Sequence, residues 1–255
     1  MPTAPPTKSR KSFLDLLVHL HPRTIPEETL RFSLSFGLGG MSAVLLFLLA
    51  GSGILQLFMY EPTVTGAYTS ILAMYSQVTF GGWIRNIHHW SSNLLVLLAW
   101  FHLLRVYFTG ATSRGRRLNW IVGHGMFCLI LLGNFSGYLL PWDQLGYWAV
   151  TICTNMIIYF PVVGLSLAEL LRGGSEVGPA TLAYFYGLHI SIVPGSMFLL
   201  MCYHFWLIRK SRGLIKKEPN TSSSHRVPAV PNLILREAAV GLSLIASVFI
   251  IAAVF

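Results

Sequence analysis

Five stretches of the chain are close to unbroken apolar runs: residues 32–58, 87–108, 120–140, 182–208 and 233–255. A helix rises about 1.5 Å per residue, so about 20 apolar residues cross the roughly 30 Å hydrocarbon core of a bilayer. Each run therefore predicts one transmembrane helix. The stretch between the third and fourth runs, 143–172, is amphipathic instead, and Pro161, Gly164 and the Gly173-Gly174 pair interrupt it. Such a pattern predicts short helices along one membrane surface, where a substrate pocket has room to form. The expected fold class is all-α: a polytopic transmembrane four-helix bundle, short surface helices between spans three and four, and a fifth, C-terminal transmembrane helix. The chain then divides into an N-terminal segment (1–31), the bundle (32–213), a linker rich in serine and proline (214–232) and the fifth span (233–255).

Composition agrees with the pattern. With 54% hydrophobic and 11% charged residues, and a mean hydropathy of +0.61, the chain is excluded from the ordinary soluble domains. The basic residues fall at one end of the spans. They comprise Lys8, Arg10, Lys11, Arg23 and Arg31 before the first span, Arg105, Arg114, Arg116 and Arg117 between the second and third, and Arg209, Lys210, Arg212, Lys216, Lys217, Arg226 and Arg236 between the fourth and fifth. Only Arg85 and Arg172 fall at the other end. The positive-inside rule then places the N-terminus on the cytoplasmic, negative side, as in a bacterial inner membrane. The net charge of +9 reads as topology and not as a nucleic-acid footprint. Residues 1–31 lack a short apolar core with a small-residue cleavage site, so the first span is expected to direct insertion. Cys128, Cys153 and Cys202 stand singly, without the paired spacings of zinc, iron–sulfur or covalent haem sites, and are expected to be packing residues.

The candidate chemistry is in the second and fourth runs. His88 and His102 are fourteen residues apart, and His189 and His204 fifteen. Fourteen residues at about 100° each fall about 40° short of whole turns and rise about 21 Å, so each pair lies near one helix face at two depths. The charge pattern makes these two spans parallel, which matches His88 with His189 at one depth and His102 with His204 at the other. A lone buried histidine is more often a satisfied core residue, since intramembrane ionisable groups are rare but commonly paired. Four in matching register point to two stacked bis-histidine cages for two haems, whose iron, coordinated by the porphyrin and two imidazoles, has no open position for oxygen, a form suited to electron transfer. Glycines repeat the spacing on the first and third spans: Gly39 and Gly53, then Gly123 and Gly137. They leave room for two porphyrin edges, although small residues also promote helix packing alone.

These features resemble the N-terminal half of the cytochrome b/b6 family of quinol:cytochrome c or plastocyanin reductases. The resemblance rests on the histidine and glycine registers, IRNIHHW at 84–90, LLRVYFTG at 103–110, GYLLPWDQLGYWAV at 137–150 and the stretch 160–172. It covers 32–213, and the fifteen-residue separation with PWDQ looks more like the cytochrome b6 type than the mitochondrial type. It implies a four-helix haem-binding bundle with a low-potential haem on His88 and His189 and a high-potential haem on His102 and His204. Arg85 and Arg105 become candidates to pair with haem propionates, against the alternative of snorkelling to the interface. Pro141, Trp142, Asp143 and Tyr147 become candidates for the wall of a quinol-oxidation pocket, against the alternative of an aromatic belt around Trp142, Tyr147 and Trp148.

Three departures from the family qualify this. Gly37 stands where the b6 type carries a cysteine that attaches an extra haem, so no covalent third haem is expected. His89 stands where the family often has arginine; it is an alternative ligand, but the spacing to His102 favours His88. The chain also lacks the PEWY motif of the family's C-terminal half. A separate C-terminal-half cytochrome b, similar to subunit IV, is then expected as partner, with a Rieske iron–sulfur protein, a c-type cytochrome, quinol and quinone, and lipid, in a dimeric complex without nucleic acid. The fifth span is either the start of that second half or a docking helix. His124 is either a quinone contact or a polar residue satisfied at a helix end, and His19, His21 and His225 carry no expected chemistry.

The function implied is a dihaem cytochrome b subunit of a bc-type quinol oxidoreductase. It would carry electrons between a positive-side quinol site and a negative-side quinone site, coupled to proton translocation. A second reading is a membrane anchor linking quinone to another redox module. A third, a non-redox transporter with a histidine proton relay, would need polar residues along a path and helices broken at midplane.

Overall fold

The computed structural model describes residues 24–110, 112, 115–211 and 226–255. Lys8, Arg10, Lys11, His19, His21, Arg23, Arg114, Arg212, Lys216, Lys217 and His225 lie outside the described residues, as do most of the N-terminal segment and much of the linker.

Helix α1 is Leu38–Leu57, α2 is Ala67–Ser76, α3 is Gly81–Phe108, α4 is Arg117–Leu139, α5 is Gln144–Ile158 and α6 is Gly164–Arg172. Helix α7 runs over Pro179–Lys210 and α8 over Ala229–Val254. Five of these, α1, α3, α4, α7 and α8, are long and apolar enough to cross a membrane. The five expected spans are thus present, and the amphipathic stretch forms two short helices, α5 and α6.

The bounds differ where backbone or neighbours intervene. The first run was expected to be helical from residue 32, yet α1 begins at Leu38 after a four-residue turn, Phe32–Ser35. Phe36 (φ 50°) and Gly37 (φ 65°) both take left-handed backbone, which breaks the helix. Helix α3 instead begins six residues before the expected start at 87. Its polar first turns are held by neighbours: Trp83 Nε1 donates to Phe249 O (3.1 Å), and Asn86 Nδ2 donates to Ala252 O (3.2 Å). Both acceptors are on α8. Helix α2 was not foreseen, being ten residues of mixed polarity.

A second addition to the all-α expectation is a small antiparallel sheet. Strand β1, Thr24–Pro26, pairs with β2, Arg226–Pro228, with Ile25 opposite Val227. Each strand has three residues and ends on proline, too short for a period-two pattern, and the pairing joins positions 202 residues apart, as Thr24 and Arg226 show. Arg226 reinforces it by donating from Nη2 to Thr24 O (2.8 Å) and from Nε to Thr24 Oγ1 (3.1 Å).

Helix α1 packs along α3, α4 packs along α7, and α3 touches α4. Helix α8 lies on α3 and α1, burying Val248 and Ala252 with Leu45, Leu95 and Ala99. Lipid tails are as apolar as leucine, so contact between such helices depends on close fit more than on water exclusion. Gly241 of α8 gives it, where an added Cβ would sit 3.3 Å from Val44. Helices α3 and α7 lack the close backbone packing that joins α1 to α3 and α4 to α7.

Helix α7 contains a π-turn at Leu188–Ile192, in which Val193 N–H donates to Leu188 O five residues back. Pro194 has no N–H for the Ile190 carbonyl, and a wide turn beside it is a common outcome. This turn answers the unequal histidine spacing. Fifteen residues of regular helix overshoot four turns by about 60°, while fourteen fall about 40° short. One residue taken up in a π-turn removes about 100°, so His189 and His204 return to the register of His88 and His102.

Candidate functional site

At the end of the bundle away from the basic residues, His88 of α3 and His189 of α7 face each other with ring centres 6.2 Å apart and planes at 66°. A metal–imidazole nitrogen bond is about 2.0 Å and the ring centre lies about 1.1 Å behind the nitrogen, so two imidazoles across one metal stand about 6 Å apart. The observed separation fits that requirement.

Each ring is held from behind. Ser52 Oγ lies 3.0 Å from His88 Nδ1, and Ser136 Oγ lies 3.0 Å from His189 Nδ1. The serine protons are committed to carbonyls of their own helices, Ser52 to Leu48 O (2.6 Å) and Ser136 to Gly133 O (3.2 Å). Each serine oxygen is then the acceptor, each Nδ1 carries the proton, and Nε2 keeps its lone pair for a metal.

The glycines abut the histidines themselves. A Cβ on Gly53 would stand 3.2 Å from His88 Cε1, and one on Gly137 only 2.7 Å from His189 Cε1. At the other level a Cβ on Gly39 would stand 3.1 Å from His102 Cε1, and one on Gly123 3.9 Å from His204 Cε1. The sequence reading assigned these glycines to porphyrin edges; the structure adds that each makes space for one imidazole. The rings of α3 meet Gly39 and Gly53 and those of α7 meet Gly123 and Gly137, so one repeat, fourteen residues on three helices and fifteen with a π-turn on α7, is shared by all four.

The level nearer the basic end has different surroundings. The Nδ1 atoms of His102 and His204 are buried without a hydrogen-bond partner, as are Arg105 Nε and Asn119 Oδ1. Unpaired polar atoms in an apolar interior are costly and rare. A cation and two imidazoles grouped in this way suit a flat metal complex that bears carboxylates. Among the described residues no group of three or more His, Cys, Asp or Glu side chains is placed to hold a metal ion. Each level instead offers two imidazoles, the number that a six-coordinate porphyrin-bound metal would take.

The remaining candidates are placed as follows. Arg85 turns toward α2, donating from Nη1 to Tyr75 Oη (2.7 Å) and lying over the Tyr75 ring at 5.5 Å. No hydrogen bond links it to the histidine pair, although its charge lies near enough to act on His88, whereas Arg105 keeps a buried Nε without a partner. His89 is exposed and meets Asn93 Nδ2 through Nε2 (3.2 Å). His124 is exposed, with Nδ1 2.9 Å from Trp120 O in its own helix, the arrangement of a polar residue satisfied locally. The three cysteines are exposed on the outside of the chain, not packed within it as expected. In a membrane span the outer face is itself apolar, so cysteine there needs no interior.

Pro141 and Trp142 form the corner between α4 and α5. Trp142 has φ 51°, Asp143 caps α5 by accepting from Gly146 N (2.8 Å), and Trp142 meets the Tyr147 ring edge-on at 5.9 Å. Tyr60 braces this corner by donating to Leu140 O (2.6 Å) while its ring lies 5.6 Å from Tyr186. Burial first, and Tyr186 second, hold the Tyr60 phenol above its ordinary pKa. Arg172 is buried and ties the surface helices together: Nε donates to Thr154 Oγ1 (2.8 Å), Nη2 to Asn155 Oδ1 (2.8 Å) and Nη1 to Ser175 O (3.2 Å).

Ser52, Ser136 and Asn119 escaped the sequence reading. For the serines a signal was present: Ser immediately precedes Gly53 and Gly137, whereas Leu38 and Val122 precede Gly39 and Gly123. Asn119, with its buried Oδ1, and the bracing Tyr60 leave no such trace.

The family model described as cytochrome b/b6/petB matches residues 26–212. Cytochrome b6 of Prochlorococcus marinus (strain AS9601) is 43% identical over 173 residues, covering 68% of this chain and 79% of its relative. Cytochrome b6 of Synechococcus sp. (strain CC9902) gives the same identity and coverage. Among solved structures, a chain of a hyperthermophilic respiratory complex III superposes with a TM-score of 0.76 at 27% identity, covering 86% of this chain. The present chain spans 59% of the length of that one.

Proposed function

The chain belongs to the cytochrome b/b6 family, and from that premise we propose that it is a dihaem cytochrome b subunit of a bc-type quinol oxidoreductase. It carries electrons between a positive-side quinol-oxidation site and a negative-side quinone site, coupled to proton translocation. The family binds b-type haem, and the chain is an integral, multi-pass membrane protein. The observation that carries the reading is the facing of His88 and His189 at 6.2 Å, with the same arrangement of glycine against histidine repeated fourteen residues away.

In this reading His88 and His189 hold one haem and His102 and His204 the other. When bound, a haem iron between two imidazoles changes its charge by one electron and has no position open to oxygen or substrate. The residues supply the rest. Gly39, Gly53, Gly123 and Gly137 let the rings approach the flanking helices, and Ser52 and Ser136 keep the Nδ1 protons in place. Arg105 offers a cation to a propionate. The corner of Pro141, Trp142, Asp143 and Tyr147, stiffened by Tyr60 and Arg172, forms part of the wall of the quinol pocket.

The other wall belongs to a C-terminal-half cytochrome b of the subunit IV kind, with a Rieske protein and a c-type cytochrome as electron acceptors, in a dimeric complex. Leu145, Trp148, Ile152, Met156 and Tyr159 of α5 and its end are exposed large apolar side chains, which supports a protein partner over that face. The basic ends of the spans place the N-terminal side at the negative face of a bacterial inner membrane.

The deciding experiment is a dithionite-minus-oxidised spectrum of the purified complex with a pyridine haemochrome count. The expected result is two b-type haems per chain, with His88→Leu and His102→Leu each removing one. Retention of all haem in a variant lacking all four histidines would overturn the reading.

A further inference from the structure

The serine before a glycine separates the two histidine levels. At the outer level Ser52 and Ser136 precede the glycines that face His88 and His189; at the basic level the same places hold Leu38 and Val122. We propose that Ser52 and Ser136 are positioning residues that lower the midpoint potential of the haem between His88 and His189 below that of the haem between His102 and His204. The inference rests on the dihaem reading above.

The physical argument begins with the proton on the serine. Ser52 gives its hydroxyl proton to Leu48 O (2.6 Å) and Ser136 gives its own to Gly133 O (3.2 Å). Both oxygens then accept from an imidazole Nδ1–H at 3.0 Å. An imidazole whose N–H is donated carries more electron density and is the stronger ligand through its other nitrogen. A stronger donor stabilises the ferric over the ferrous state, which lowers the potential of the one-electron couple. At the basic level Nδ1 of His102 is buried with no hydrogen-bond partner, and His204 has the Asn119 backbone near it, so neither ring is backed by a serine there. Arg105, whose Nε is also buried there, acts in the same direction, because a nearby cation favours the state with one positive charge fewer. Both effects set the outer haem low and the basic-end haem high.

A merely structural role for the serines is distinguishable. Ser52 also back-bonds within α1 and Ser136 within α4, contacts that bend a helix slightly without reaching any metal. Loss of those bonds would change haem content or stability without selectively moving one midpoint.

The test is a potentiometric titration of the intact complex carrying Ser52→Ala, Ser136→Ala, both together, and Ser→Thr at each position. Haem α-band absorbance and low-temperature electron paramagnetic resonance would be followed, with the outer haem identified as the one lost in His88→Leu. The expected result is a rise in the outer midpoint in each alanine variant, a larger rise in the double variant, no change at the other haem, and wild-type behaviour in the threonine variants, which keep the hydroxyl. Unchanged outer midpoints, or equal shifts of both haems, would overturn the serine role alone. If the double variant binds too little haem to titrate, the two single variants carry the same decision. A His88→Leu variant that still holds both haems would instead overturn the dihaem reading, and the proposal with it.

Discussion

The two histidine levels have the same ligands, the same glycine spacing and opposite second neighbours. Behind His88 and His189 the contacts run serine to imidazole and serine to backbone, and Ser91 Oγ, one turn along α3 from His88, is buried without a partner. Around His102 and His204 four polar atoms are buried and open. The contrast teaches that a repeated frame can carry two sites of different electrostatics, because the frame is set by helix period and the tuning by the residue adjoining each glycine. The glycines show a second asymmetry. Space is tightest at Gly137 (2.7 Å to His189) and loosest at Gly123 (3.7 Å to Leu103 and 3.9 Å to His204), although both hold the same place in the repeat.

The largest break in this comparison comes from the ligands. Replacing His189 by leucine should remove the outer haem and leave the other, and His204→Leu should do the reverse, each read as half the haemochrome absorbance per chain.

The glycines come next. Gly137→Val should displace the His189 ring and empty or weaken the outer level, since overpacking a filled interior costs about 1–3 kcal/mol and the contact is already below any real Cβ distance. Gly123→Ala should leave both haems bound, because 3.9 Å is ordinary contact. Haem content per purified chain checks the pair, and equal losses in both variants would refute the distance argument.

Of smaller effect is the cation. Arg105→Gln should lower the midpoint of the basic-end haem and leave the outer one, whereas Arg85→Gln should lower the outer one by less, since its guanidinium turns to Tyr75 but keeps its charge near His88. A redox titration of the two variants separates them; an outer shift in Arg85→Gln as large as the basic-end shift in Arg105→Gln would return Arg85 to the propionate role.

The frame itself is tested by a deletion expected to change almost nothing, set against one expected to change much. Deletion of Ser191, inside the π-turn, should let α7 run as a regular helix with fourteen residues between its histidines, and both haems should be retained. Deletion of Leu95, in the regular interval of α3, should turn His88 by about 100° relative to His102 and cost one haem. Spectra of the two deletion variants, side by side, decide it.

Much of this was legible in the sequence. The five spans, the surface helices and the four histidines follow from the length of the apolar runs and the helix period, both local properties. The residue before each glycine was equally visible, but its meaning was not, because a serine becomes informative only when the ring it meets is known. Arg85 and Arg105 look alike as basic residues at span ends, and only neighbouring helices separate a cation spent on Tyr75 from one left buried beside the histidines.

What the sequence determined by itself is the element list and the register: an apolar run long enough to cross the bilayer must satisfy its backbone internally, so it is a helix, and a fourteen-residue repeat must return to nearly the same face. Tertiary structure decided what chain-local rules do not reach. It decided the strand pairing of β1 with β2 across two hundred residues, the docking of α8 on α1 and α3, and the π-turn that reconciles fifteen residues with fourteen. It also decided which imidazole has its proton held. Each depends on atoms distant in the chain coming within about 3–4 Å, the range over which hydrogen bonds and packing act.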